Sequence, residues 1–125
     1  KIIVLHLGGN DLNYELSPKN IYQQIQDFIG LILKKFPKTH IFYMSIKPSF
    51  ERINKIDEIK KINLLMQQFC NINKQMSYVD FYNKLLKRGK PDSSFFLQDG
   101  LHLNHKGYDV IEKKLSKEIA KIEQV

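Results

Sequence analysis

Three short apolar runs, at residues 1–7, 40–46 and 76–81, alternate with longer segments whose apolar residues recur every three or four positions. That change of period, repeated along one chain, restricts the fold more than any other feature. A short run that is apolar almost throughout suits a strand covered on both faces of a parallel sheet. The spacing Ile21, Ile25, Phe28, Ile29 and Ile32 suits one face of a helix, as does Ile56, Ile59, Ile62, Leu65, Met66 and Phe69. Ser17-Pro18 reads as an N-cap and first helical residue, and Phe36-Pro37 closes that helix. Residues 87–94 are polar and turn-prone, and residues 95–104 read as a loop. Asn104 can cap a last helix with Tyr108, Ile111, Leu115, Ile119 and Ile122 on its inner face. Strand–helix alternation predicts an α/β fold with a parallel sheet and helices on both faces. No internal repeat or linker divides residues 1–125, so they are expected to lie in one domain.

Composition narrows the functional classes. With 42% hydrophobic and 26% charged residues, the chain is neither collagen-like nor intrinsically disordered. Its longest apolar stretch, residues 28–33, falls far short of the roughly 18–20 residues of a membrane-spanning helix. A single cysteine, Cys70, leaves no intramolecular disulfide and no cysteine metal cluster; on an apolar helix face it reads as packing. The net charge of +7 is carried almost wholly by lysine, with Arg52 and Arg88 the two arginines. Scattered lysines describe a solvated surface better than a reader of bases or phosphates, which favours arginine. No nucleic-acid partner is expected. Binding that weakened steeply with salt would argue otherwise.

Ligands of open α/β sheets bind at the carboxyl ends of the strands. Gly8-Gly9-Asn10-Asp11 follows the first strand, Lys47-Pro48-Ser49 the second, and Asp80 closes the third. The segment Asp99-Gly100-Leu101-His102, just before the last helix, can fold over the same edge. An Asp three residues before a His can accept the Nδ1–H hydrogen bond within one turn, leaving Nε2 to take a proton. Gly100 lets the backbone bend between them. Glycines at the end of the first strand permit a tight turn, and the Asn10 amide could donate to a developing oxyanion. Asp11 can hold the turn through nearby amides. Taken singly, either element also reads as an ordinary loop.

Together, Gly8-Gly9-Asn10-Asp11 and Asp99-Gly100-Leu101-His102-Leu103-Asn104-His105-Lys106-Gly107-Tyr108 resemble two of the four sequence blocks of the SGNH (GDSL) hydrolases, in the same order. Residues 43–52, Tyr-Met-Ser-Ile-Lys-Pro-Ser-Phe-Glu-Arg, resemble a bacterial subgroup of GDSL-like acylhydrolases. The resemblance covers nearly the whole chain. It implies a three-layer α/β/α, flavodoxin-like fold and a serine esterase that works through an acyl-enzyme. It assigns the acid and base to Asp99 and His102 and an oxyanion donor to Asn10, with no metal and no organic cofactor. The implied substrate is a small-molecule ester: a lipid, a simple ester or an acylated sugar.

The blocks carrying the family's nucleophilic serine and oxyanion glycine are not in this sequence. Ser17, Ser45, Ser49, Ser77, Ser93, Ser94 and Ser116 all lie outside a strand-to-helix elbow of the expected kind. The sequence opens at Lys1 inside a strand, without an initiator methionine. The expectation is therefore that these residues form the C-terminal part of one SGNH hydrolase domain. About 60 residues or more, two βα units, would precede them, together with any targeting segment, so the compartment stays open. The piece alone is expected to be inactive and poorly stable, with the edge of its first strand bared. A non-catalytic relative that binds a glycan or protein on the same fold is the alternative.

Lys47 and Arg52 follow a strand's carboxyl end and are candidates for contacting an anionic or sugar group of the substrate. His105 could join Asp99 and His102 in a metal site, but reads better as an exposed first-turn residue. His6 reads as a core or sheet histidine, and Tyr108 and Phe81 as core.

Overall fold

The computed structural model describes residues 1–14 and 16–123, the side chain of Asn13 excepted. Three parallel strands, β1 (Ile2–Leu5), β2 (His40–Met44) and β3 (Met76–Val79), lie side by side in that order. Ile3 pairs with Ile41 and Tyr43 with Tyr78. The helices α1 (Pro18–Lys35) and α2 (Ile56–Asn71) pack together on one face; α3 (His105–Glu123) covers the other. The expected three-layer α/β/α arrangement is the one observed.

The two faces follow from strand alternation. Leu5, Ile41, Tyr43 and Met76 meet the Ile21–Ile25–Ile29 stripe of α1 and the Ile59–Ile62–Met66 stripe of α2. Phe42, Val79 and Phe81 meet Ile111, Leu115 and Ile119 of α3. Central β2 is buried on both faces, as its apolar run predicts. β1 departs from that expectation: Val4 is 39% exposed, because β1 has a described neighbour on one side alone. Local signals hold at the helix ends. The Ser17 hydroxyl accepts from the Asn20 amide, Pro18 opens α1, and the Asn104 carboxamide accepts from the Gly107 amide.

The turn expected within residues 87–94 is observed, and two residues expected on the inner face of α3 lie outside the core. Residues 86–91 form a two-stranded hairpin, β4 (Leu86–Lys87) and β5 (Lys90–Pro91), turned by Arg88 and Gly89 at positive φ. Tyr108 is not core: it is 56% exposed, because it lies a turn ahead of the α3 residues that reach the sheet. Ile122, at the far end of α3, is likewise outside the core.

Candidate functional site

Three loops at the carboxyl edge of the sheet meet in a cleft of about 460 Å³. The first leaves β1 at Leu7, whose carbonyl accepts from the Tyr43 hydroxyl at 2.8 Å. Gly8 then takes φ +111°, and a Cβ there would stand 3.0 Å from Ile46 and 3.2 Å from Ile25. Only glycine meets both demands without strain. The chain continues into a 3-10 turn, Asn10–Tyr14, closed by the Leu12 amide on the Gly9 carbonyl. Among the described residues the Asp11 carboxylate makes no hydrogen bond, so backbone bonding closes this turn in its place.

The second loop leaves β2. Its first residue beyond Ser45, Ile46, is gripped at both backbone groups by one side chain. Asn63 of α2 accepts from the Ile46 amide at 2.8 Å and donates to its carbonyl at 2.9 Å. Sequence reasoning missed Asn63. The available signal was an amide side chain beside Ile59, Ile62 and Met66 on a helix's apolar stripe. Lys47, Pro48 and Ser49 follow, and Arg52 turns back beneath the first loop. Arg52 is only 4% exposed, and its Nη2 donates to the Asn10 Oδ1 at 2.9 Å. Both Lys47 and Arg52 line the cleft. Desolvation and the Arg52 charge lower the Lys47 pKa, partly opposed by Asp99.

The third loop carries the Asp–His pair. Asp99 Oδ2 lies 2.5 Å from His102 Nδ1, while Asp99 Oδ1 accepts from the Leu101 and His102 amides. The hydrogen bond from His102, then those two amides, hold the Asp99 carboxyl down at about 2. An ionised Asp99 accepting from Nδ1–H fixes the tautomer that leaves Nε2 as the basic nitrogen. Gly100, at φ +68°, makes the bend between them, and its carbonyl accepts from the Glu51 amide at 3.1 Å. That bond ties the third loop to the second, and a Phe50–Phe96 edge contact reinforces it.

Asn10 and His102 thus line one cleft although 92 positions separate them in the chain. His6 also lines it, which corrects the core reading. It retains open surface just past β1, while desolvation and the Lys47 and Arg52 charges lower its pKa. Tyr108 reaches the same cleft. His105 stands 95% exposed with its ring 3.7 Å from Asp109, so it does not join Asp99 and His102. Among the described residues no three His, Cys, Asp or Glu side chains gather at metal-binding distance. His40 bonds Ser77 at the opposite, amino end of the strands.

No serine is among the described residues lining the cleft. The Ser45 hydroxyl accepts from the Phe81 and Tyr82 amides, and Ser49 is wholly buried. Cys70 is buried too, and burial pushes its thiol up to about 12.

A sequence model of the GDSL-like Lipase/Acylhydrolase family matches residues 1–110. Among curated proteins none matches the chain. Several solved structures share its fold. A protein from Streptococcus pneumonia, provisionally described as a platelet activating factor, superposes with a TM-score of 0.83 at 23% identity, over 94% of this chain and 59% of its own. A carbohydrate esterase family 3 protein from Talaromyces cellulolyticus gives 0.81 at 18% identity, over 99% and 59%. A GDSL-like lipase from Bacteroides thetaiotaomicron gives 0.76 at 22% identity, over 97% and 62%. The chain therefore spans about three fifths of the length of each of these three structures.

Proposed function

The chain belongs to the GDSL-like lipase/acylhydrolase family, and on that footing we propose that the whole protein is a serine esterase in which His102 is the general base. The observation that carries the reading is that His102, held by Asp99, lines the same cleft as Asn10. The nucleophile would be a serine supplied by residues outside 1–125. The family match and the three-fifths coverage support that assignment.

In the proposed reaction His102 Nε2 takes the serine proton as the hydroxyl oxygen attacks the ester carbonyl. The carbonyl oxygen, now carrying negative charge, accepts from the Asn10 amide. Asp99 keeps the imidazole oriented and stabilises its protonated form. His102 then gives the proton to the leaving alcohol. Water, deprotonated by the same nitrogen, releases the acid from the acyl-enzyme. No metal or organic cofactor enters this scheme. The substrate class is a small-molecule ester, acylated sugars included, which the fold shared with a carbohydrate esterase supports. Lys47 is the side chain best placed to meet an anionic or sugar group beside the reacting carbonyl.

The test uses the full natural chain, reacted with a fluorophosphonate probe with and without His102→Ala. One labelled serine outside residues 1–125, lost on that substitution, supports the reading. Labelling that ignores His102, or none at all, refutes it and leaves a binding protein on a hydrolase fold.

A further inference from the structure

We propose that Arg52 is the positioning residue of Asn10: it holds the amide in the one orientation that presents its N–H groups to the cleft. The inference rests on the reading of Asn10 as an oxyanion donor. An asparagine side chain has an acceptor end and a donor end of nearly the same shape, and only the donor end can stabilise negative charge. A guanidinium has donors and no acceptor. With Arg52 Nη2 at 2.9 Å, the atom facing it must be Oδ1, and Nδ2 must point elsewhere. A neighbour able both to donate and to accept would tolerate either orientation. The positive charge also polarises the carboxamide, which strengthens Nδ2–H as a donor.

The surroundings hold Arg52 for this contact and little else. It is buried, and Asn10 receives its one side-chain hydrogen bond among the described residues. Among the described residues its Nε has no hydrogen-bond partner, and the nearest carboxylate, that of Glu51, stands 3.8 Å away. A buried guanidinium so sparsely paired is costly for a fold to keep. Space for it is made at Gly9, where a Cβ would come within 2.9 Å of Nη1. The Gly9-Asn10 step therefore has two parts: glycine admits the cation, and asparagine is oriented by it. The contact joins residues 42 positions apart and connects the loop after β2 to the loop after β1. Arg52 thus acts on the substrate through Asn10.

The experiment compares Asn10→Ala, Arg52→Gln, Arg52→Lys and the double variant Asn10→Ala/Arg52→Gln in the full natural chain, with p-nitrophenyl acetate as the probe ester. Glutamine can accept from Nδ2 and so permits the wrong orientation; lysine can only donate. Arg52→Gln should lower kcat by about 10- to 100-fold with little change in KM, and Arg52→Lys should recover part of the loss. In the Asn10→Ala background Arg52→Gln should cost nothing further. Gly9→Ala, which crowds Nη1 without removing it, should lower kcat in the same way and serves if Arg52→Gln does not fold. A rise in KM at constant kcat would make Arg52 a substrate contact and overturn the proposal. Losses that add fully in the double variant would make it a general structural residue and overturn it as well. An active enzyme indifferent to Arg52 overturns this inference alone. A natural chain that neither turns over the ester nor takes the fluorophosphonate overturns the esterase reading, and this one with it.

Discussion

Replacing Asn63 with alanine should destabilise the protein by about 3 kcal/mol. Asn63 makes two hydrogen bonds to the backbone of Ile46, and both residues are buried. Truncation leaves one buried N–H and one buried C=O without partners. Each orphaned group costs about 1–3 kcal/mol, so the sum is about 2–6 kcal/mol. Water entering the vacated space would satisfy part of that, which puts the expected value in the lower half of the range. Leu64→Ala, at the next helix position but exposed, is the control and should change stability by under about 0.5 kcal/mol. Urea denaturation of the full natural chain, read at constant m, gives both values. Asn63→Asp keeps the acceptor for the Ile46 amide but sets a second oxygen against the Ile46 carbonyl, so it should lie well below wild type too. A loss under about 1 kcal/mol for Asn63→Ala, or one equal to the Leu64 control, would refute the idea that this clamp fixes the exit of β2.

Two further outcomes follow from the titrating groups. The Asp99 pKa of about 2 lies below its ordinary 3.8, so the stability contributed by its pairing is complete above 3.8 and lost as pH falls through about 2. Urea midpoints of wild type and Asp99→Asn should converge near pH 2 and separate, in favour of wild type, above about pH 4; parallel curves would count against the pairing. At neutral pH the same substitution should reduce kcat by about 10⁴-fold, by releasing the His102 tautomer. The Cys70 thiol, pushed up to about 12, is ionised in about one molecule in ten thousand at pH 8. Iodoacetamide should therefore leave it unmodified in the native protein and react on unfolding. Fast native-state alkylation would show that α2 does not seal it.

Features made by neighbours in sequence were legible from the sequence. The Ser17-Pro18 cap, the apolar stripes of α1 and α2 and the Asp99–His102 pair each lie within one or two helical turns. Tyr108 shows how that reasoning fails. Its spacing from Ile111 and Leu115 places it on the inner face, yet a face is inner only where the sheet lies beneath it. Ahead of Ile111 the helix overhangs the sheet's carboxyl edge, so Tyr108 meets the cleft. At 86–91 the turn was legible but the hairpin was not, because its strands are two residues each, too short for an alternating pattern to show.

By itself the sequence determined the alternation of strand and helix, the caps, and the Asp–His pair, because dihedral preference and a reach of three or four residues suffice for each. Only the tertiary structure decided that Arg52 lies under Asn10, that Asn63 holds Ile46, and that His6 belongs to the cleft. Those contacts depend on the register of β1 on β2 and on the seating of α2 against the sheet. Such long-range geometry emerges when the core closes, and no local pattern of residue types encodes it.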